Sequence, residues 1–189
     1  MDADIRGGVE LNTVRRVVTG HRGGKAVFAS DELVDPLTLA ILPGYSFHRL
    51  WGSDHVSRFP DDGAPPAQPD YFPPIGGFRF GMLCIPSGGS TAPADLELTK
   101  AIAELDAKLP GMAIYSEAEE PGMHTTPTID FEVVLTGECV LELDDGAEVE
   151  LKAGDVVVQN GTRHRWHNRS PASCQLAVFI VGAHHDGLP

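Results

Sequence analysis

The chain is short of positive charge and of long apolar runs. Of its 189 residues, 14 are Lys or Arg and 27 are Asp or Glu, which gives a formal net charge of −13. Such an acidic surface repels phosphate backbones and anionic lipids, so we expect neither nucleic-acid binding nor attachment to a membrane surface. No stretch approaches the ~20 apolar residues that span a bilayer. The opening residues contain no apolar run typical of a signal peptide.

Cysteine is also scarce. Cys84, Cys139 and Cys174 are odd in number and widely spaced, which matches neither a metal-binding cysteine pattern nor a disulfide framework. Each lies in an apolar, strand-like stretch, so we expect buried free thiols. Together with the missing signal peptide, this predicts a protein of the reducing cytoplasm.

The N-terminal part predicts short strands followed by a long loop. The predicted strands are 14–19, 25–29, 37–42 and 45–51, and the third is expected to stop at Pro43-Gly44. Residues 53–74 contain six prolines between Pro60 and Pro74 and show no apolar period, so they are predicted to form a loop. A loop of this length inside a domain is usually a lid, an arm or a disordered segment.

One helix and a series of short strands follow. An apolar stripe at helical spacing predicts a helix over about 95–109, capped by Asp95 and packed on a sheet; the stripe is formed by Leu98, Ile102, Leu105 and Leu109. From residue 113 onward, short strands alternate with turns, a pattern typical of a sandwich or barrel. The predicted strands of this half are 78–85, 113–117, 130–136, 139–143, 148–152, 155–159, 164–168 and 174–182.

Two segments of the β-rich half carry paired motifs. The first runs from His124 through Thr126 and Asp130 to Gly137, and the second contains His164 and Asn168. They resemble the paired motifs of the cupin superfamily. The first motif keeps the family spacing, with Thr126 in place of a histidine and Asp130 in place of a glutamate. The second is one residue short before Gly161, but His164 and Asn168 keep their mutual spacing. The resemblance implies an all-β fold, a double-stranded β-helix (jelly-roll) barrel with an N-terminal β extension and one helix. Residues 1–77 would form the extension with its Pro-rich loop and residues 78–189 the barrel.

The motifs point to a divalent-metal site. Two histidines and one carboxylate carried by strands are a ligand set with open coordination positions, so we predict His124, Asp130 and His164 as ligands of Fe, Mn, Zn or Ni. Asp130 and Glu132 share a strand face, and a carboxylate pair inside a barrel requires a cation or a proton. We therefore predict Glu132 as the catalytic proton-transfer group and expect His167 to point outward.

The predicted function is that of a metal-binding cupin acting on a small organic acid or on an aromatic, polyketide-like metabolite. Lyase, isomerase and dioxygenase chemistry remain open, with the metal as a Lewis acid. The aromatic option depends on the expectation that Phe131 and neighbouring valines wall the interior. The alternative is a non-catalytic barrel that binds a small ligand, because Thr126 is a poor metal ligand. The resemblance also implies a homodimer.

Overall fold

The computed structural model describes residues 13–188 and shows a mostly β chain with a single α-helix, as the sequence predicts. The helix α1 spans Leu98–Lys108, and two short 3₁₀ turns span Met112–Tyr115 and Asp144–Gly146. The strands are β1 (Val14–Arg22), β2 (Lys25–Val34), β3 (Leu37–Leu39), β4 (Leu42–Ser53), β5 (Phe78–Ile85), β6 (Thr128–Thr136), β7 (Glu138–Glu142), β8 (Glu148–Lys152), β9 (Val156–Asn160), β10 (Arg165–His167) and β11 (Cys174–Gly182).

Two antiparallel sheets pack against each other around one apolar core. The larger has six strands in the order β3-β4-β5-β11-β6-β9, and the smaller has the order β10-β7-β8. Both contribute to the same buried cluster, which includes Val134 and Leu176 from the larger sheet and Leu141 and Leu151 from the smaller. This face-to-face packing is that of a jelly-roll barrel whose two sheets are not joined at their edges.

The N-terminal strands fall into two groups. β1 and β2 form a separate two-stranded hairpin, whereas β3 and β4 belong to the six-stranded sheet. Residues Ser46–Ser53 of β4 pair directly with β5. The extension thus lengthens one barrel sheet, while the division of the chain at residue 78 stays a prediction.

Two local predictions are wrong. Residues 113–117, predicted as a strand, lie largely in the 3₁₀ turn. The turn predicted at Pro43-Gly44 falls instead at Ala40 and Ile41, and β4 runs through the proline. Pro43 is tolerated because it is the second residue of its strand, where few ladder bonds depend on its missing N–H.

The helix begins later than predicted and buries a different stripe. Its N-cap residue is Glu97, not Asp95, and makes no side-chain capping bond. Leu98 and Ile102 are 60% and 43% exposed, whereas Ala101, Leu105 and Leu109 are buried. The helix packs beside β3 and β4, which reach it only through the tertiary fold. No helix in the described part of the chain has the length and apolarity needed to cross a membrane.

Strand β6 buries two carboxyl side chains and exposes most of its apolar ones. Asp130 and Glu132 are buried, whereas Phe131, Val133 and Leu135 are 40%, 36% and 43% exposed. The expectation that Phe131 walls the interior is therefore wrong, whereas Val134, which shares the inner face, is buried in the core. Alternation separates the two faces correctly, but it does not say which face the second sheet covers.

The three cysteines are buried and free. Cys139 and Cys174 belong to the core cluster shared by the two sheets, and Cys84 lies on β5 beside it. The predicted buried thiols are confirmed.

Candidate functional site

A short antiparallel bridge brings His124 and His164 side by side. The backbone N–H of each residue donates to the carbonyl of the other, with both distances 3.0 Å. Directly opposed residues of an antiparallel pair point to the same side, and the two ring centroids are 4.1 Å apart. Two residues from separate motifs thus form one imidazole pair.

Backbone carbonyls hold both rings in a single tautomer. Nδ1 of His124 lies 2.9 Å from the carbonyl of Gly122, and Nδ1 of His164 lies 2.9 Å from that of Thr162. A carbonyl only accepts, so each Nδ1 carries the proton and each Nε2 keeps a free lone pair. Neither Nε2 has a hydrogen-bond partner among the residues that the structure describes. This is the arrangement found in metal-ligating histidines.

Burial keeps both imidazoles neutral. It lowers the pKa of His164 to about 4, and the neighbouring His124 contributes to the same shift. Burial also lowers the pKa of His124, although the Gly122 carbonyl opposes the change. At neutral pH both rings are therefore uncharged, with one proton each, and this is the state that metal ligation requires.

Asp130 and Glu132 form a buried carboxyl pair on β6. Oδ1 of Asp130 and Oε2 of Glu132 are buried without a hydrogen-bond partner. Burial raises the pKa of Asp130 to about 6, against the opposing hydroxyl of Thr128. Burial, with the added charge of Asp130, raises the pKa of Glu132 to about 8. At neutral pH one carboxyl is mainly ionised and the other protonated, a pairing suited to proton transfer.

Asp130 does not close a compact three-ligand cluster with the histidines. Within residues 13–188, one group of three His, Cys, Asp or Glu residues has all its ligand atoms within 4.8 Å of one another, and it is Glu142, Glu148 and His167. Thr126 is buried, and its Oγ1 lies 2.8 Å from that of Thr128. The ligand set therefore stays a prediction, with its two histidines already paired.

The Glu142–Glu148–His167 group lies on the outer face of the smaller sheet. Its carboxylates come from paired positions of β7 and β8, a proximity that no sequence motif signals. His167 contacts Glu142, and Arg165 holds both carboxylate oxygens of Glu142 at 2.7 Å. These hydrogen bonds, that of Arg165 first, lower the pKa of Glu142 to about 2. Arg169 holds Glu148 in the same way, so this cluster is already neutralised by arginines.

Two motif residues have structural roles. The buried Asn168 donates to the carbonyls of Ile85 and Ala172 and accepts two hydrogen bonds from Ser170. Gly137 adopts a φ of 74°, and a Cβ there would collide with the backbone of residues 173–174. Both residues therefore shape the loops that carry the site.

The polar interior also includes two arginines that the sequence did not reveal. Arg79 on β5 is buried and pairs with Asp54 at 2.6 Å, and Arg49 lies on β4. Both donate to the carbonyl of Asp70, so they anchor the Pro-rich loop. Tyr71 follows in that loop and packs against the sheet. Their positions depend on strand pairing, which no local pattern encodes.

A cavity of about 380 Å³ lies away from the histidine pair. It is at the edge of the smaller sheet and is lined in part by Glu138, Lys152, Arg169 and Ser170. None of the predicted site residues lines it, and its charges are mixed. We therefore base the candidate site on the interior side chains.

Two facing β-sheets with buried carboxyls on the inner face, together with a histidine pair, define the class of the fold as a jelly-roll β-barrel domain. Residues 111–181 match the family model described as "Cupin domain". This segment of the chain is therefore similar to a cupin domain, as the paired motifs predict, and it contains all the predicted site residues.

Two fungal proteins are similar in sequence to parts of this chain. One is the Oryzines biosynthesis cluster protein J of Aspergillus oryzae (strain ATCC 42149 / RIB 40), 42% identical over 78 residues, or 39% of this chain and 44% of that protein. The other is the Phomopsin biosynthesis cluster protein C' of Diaporthe leptostromiformis, 51% identical over 59 residues, or 31% of each chain. The match thus spans less than half the length of either relative.

Among solved structures, the chain is similar to the Cupin_2 domain of an XRE-family transcriptional regulator from Enterobacter cloacae. The TM-score is 0.35 at 15% identity, covering 57% of this chain and 83% of that one.

Proposed function

We propose that this protein is a metal-dependent enzyme that acts on a small organic acid by lyase or isomerase chemistry. One observation carries the proposal: the neutral rings of the half-buried His124 and the buried His164 lie together, and within residues 13–188 neither Nε2 has a hydrogen-bond partner. The polar inner face favours an organic acid over an aromatic metabolite, because Phe131 lies on the outer face. The fungal relatives, both named for biosynthesis clusters, fit a role in small-molecule metabolism.

The donor atoms fit a divalent ion. His124 and His164 would hold the ion through Nε2, and Asp130 would supply an oxygen, since its buried Oδ1 has no partner. Nitrogen and carboxylate donors suit Fe, Mn, Zn and Ni. When bound, such an ion supplies Lewis acidity toward a carbonyl or carboxylate.

Glu132 is the proton-transfer group in this proposal. Its burial keeps it largely protonated at neutral pH, so it can donate a proton to a reacting carbon or oxygen and recover it later. Backbone pairing of His124 with His164 fixes the two rings, so they need little reorganisation when they bind a ligand.

Elemental analysis of the full chain, purified without chelator, tests the proposal. We expect close to one divalent ion per chain, lost in the His124→Ala/His164→Ala double variant and retained in His167→Ala. The second variant is a matched control, because it removes a histidine from the outer cluster. Protein that contains no metal and does not take up Fe(II), Mn(II), Zn(II) or Ni(II) would overturn the proposal.

A non-catalytic ligand-binding barrel is the second candidate. Thr126 favours it, because its hydroxyl is engaged with Thr128 and leaves one ligand fewer than the family motif provides. This candidate predicts saturable binding of a small acid by metal-free protein that shows no turnover.

We also propose a homodimer formed through the outer face of the six-stranded sheet. A cross-strand row there contains no charge: Trp51, Phe80, Phe179, Phe131 and Val158. Such a patch on a chain of charge −13 marks an interaction surface, and a second copy offers the same uncharged face. Light scattering should give a dimer mass that Phe131→Glu/Phe179→Glu halves. Val149→Glu, at an exposed valine of the other sheet, should leave the mass unchanged.

A further inference from the structure

The interior contains a guanidinium without a carboxylate partner. Arg49 is half-buried on β4, and its Nη2 donates to the carbonyls of Gln68 at 2.8 Å and Asp70 at 3.3 Å. Among residues 13–188 it forms no ion pair, and its Nε and Nη1 have no hydrogen-bond partner. A charge withdrawn from water is unfavourable unless an opposite charge compensates it. Arg49 therefore has the capacity to bind an anion.

The surroundings of Arg49 disfavour the charged form of its guanidinium when no anion is bound. Burial lowers the pKa of the Arg49 guanidinium and the positive charge of Arg79 lowers it further, while Tyr71 and the carboxylate of Asp70 oppose the shift without forming an ion pair with Arg49. Arg79 is itself compensated by Asp54, whose Oδ1 lies 2.6 Å away. An arginine stays charged in a protein, so this environment favours an added anion over loss of the proton.

The loop held by these arginines places Tyr71 beside Arg49. Arg49 and Arg79 both donate to the carbonyl of Asp70, the residue before Tyr71. The backbone N–H of Tyr71 donates to the carbonyl of Pro110 at 2.8 Å. With the chain anchored on both sides, Tyr71 has a defined position.

Tyr71 interacts electrostatically with Arg49 and with the carboxyls of Asp130 and Glu132. Burial raises its pKa, the carboxylates of Asp130 and Glu132 raise it as well, and Arg49 opposes them. Its ring packs edge-on against Phe47, with ring centroids 6.3 Å apart. Tyr71 is therefore a neutral hydroxyl donor near the guanidinium and both carboxyls.

Arg49 and Glu132 lie in one cross-strand row on the inner face. Arg49 pairs with Gly81, Gly81 with Val178, and Val178 with Glu132. Gly81 has no side chain, so Val178 is the one side chain that separates them along the row. Three strand spacings put the two backbone positions about 14 Å apart. Both side chains therefore lie on the same face of the sheet, on the two sides of Val178.

We propose that Arg49 and Tyr71 form a carboxylate-binding subsite that holds an organic acid with its reacting carbon toward Asp130 and Glu132. This rests on the proposed function and defines its substrate class as a small mono- or dicarboxylic acid. The Nε and Nη1 groups of Arg49 bind the carboxylate, and the Tyr71 hydroxyl donates to the same group. The bound acid supplies the negative charge that Arg49 lacks.

Calorimetric titration of the metal-free full chain with malonate tests the subsite, with uncharged malonamide as the matched probe. We expect saturable binding of malonate at one site and none of malonamide. Arg49→Gln should weaken malonate binding about tenfold to a hundredfold, the range for a lost charge-assisted bond. Tyr71→Phe should weaken it about fivefold, because it removes one hydroxyl donor. Arg169→Gln, on the outer surface, should leave it unchanged.

Folding effects are separated by two further variants and a melting curve. Tyr71→Phe keeps the ring that packs on Phe47. If Arg49→Gln lowers the melting temperature, the affinity of Tyr71→Phe for malonate therefore tests the subsite. Arg49→Lys keeps the positive charge and should restore part of the affinity. Malonate binding that is absent, or unaltered in both Arg49→Gln and Tyr71→Phe, would overturn the subsite. Because the titration uses metal-free protein, such a result leaves the metal proposal standing, and elemental analysis decides that proposal separately.

Discussion

The inner carboxyls of Asp130 and Glu132 and the outer group of Glu142, Glu148 and His167 lie in opposite electrostatic environments. On the outer face, Arg165 and Arg169 hold Glu142 and Glu148, and the pKa of Glu142 falls to about 2. On the inner face, Glu132 has no arginine within hydrogen-bonding distance, and its pKa rises to about 8. Compact geometry alone would select the outer cluster as the metal site. The proposed site includes the inner carboxyls instead, because a buried carboxyl pair still requires an ion or a proton.

The largest expected effect is stabilisation by a divalent ion at the proposed site of His124, Asp130 and His164. A ligand that binds only the folded state at about one hundred times its Kd adds about 3 kcal/mol to the free energy of unfolding. Thermal melting with Zn(II) or Mn(II) should show this shift in the parent and in His167→Ala, and a chelator should reverse it. A shift that persists in His124→Ala/His164→Ala but disappears in His167→Ala would assign the ion to the outer group of Glu142, Glu148 and His167 instead.

The second effect is the dependence of stability on pH in metal-free protein. The pKa of Glu132 in the folded protein, about 8, lies above its pKa in the unfolded chain. The contribution of Glu132 to the free energy of unfolding is therefore complete at low pH and is lost as the pH rises through about 8. His164, with its pKa lowered to about 4, acts in the opposite sense below its unfolded value of about 6.5. Between about pH 6.5 and 8 the free energy of unfolding should therefore fall by up to about 2 kcal/mol.

Denaturant unfolding at several pH values measures this trend. Glu132→Gln should remove most of the fall above neutral pH, because glutamine does not titrate. Glu142→Gln is the matched outer change: it should lower stability by a constant amount above about pH 5 and should change the pH dependence only in acid, where the contribution of Glu142 disappears as pH falls toward about 2. Identical pH profiles for the parent and Glu132→Gln would show that the inner carboxyl does not carry the predicted shift.

The smallest effect concerns the outer ion pairs. Arg169 and Glu148 are solvent-accessible, so Arg169→Ala should lower the melting temperature by no more than a few degrees. High salt should shrink the difference, because exposed charges are screened. A large, salt-insensitive loss would mean that the outer cluster is a structural element of the barrel.

Much of the fold could be predicted because strands and tight turns are local. The bounds predicted for β5, β8 and β11 agree residue for residue with the structure. The predicted strands 139–143 and 148–152 pair as the hairpin of β7 and β8, with Asp145 at a φ of 57° in the turn. The 113–117 segment failed because its alternating pattern is too short to distinguish a strand from a 3₁₀ turn.

The site was predictable only where a motif marked it. The two motifs identified His124 and His164, which the structure pairs through backbone hydrogen bonds. Arg49 and Tyr71 were missed, because a lone arginine on a strand and a tyrosine in a Pro-rich loop carry no signal that they will meet. Their proximity results from the pairing of β4 with β5 and from the carbonyls that anchor the loop.

The sequence by itself determined the strands, most of their turns, the family motifs and which residues of β6 share a face. Only the tertiary structure decided that Asp130 and Glu132 face inward while Phe131 faces out, and that Arg49 has no carboxylate partner. The physical reason is that a period of two sorts side chains into two sets without orienting them. Burial and charge compensation depend on the surfaces that long-range strand pairing brings together.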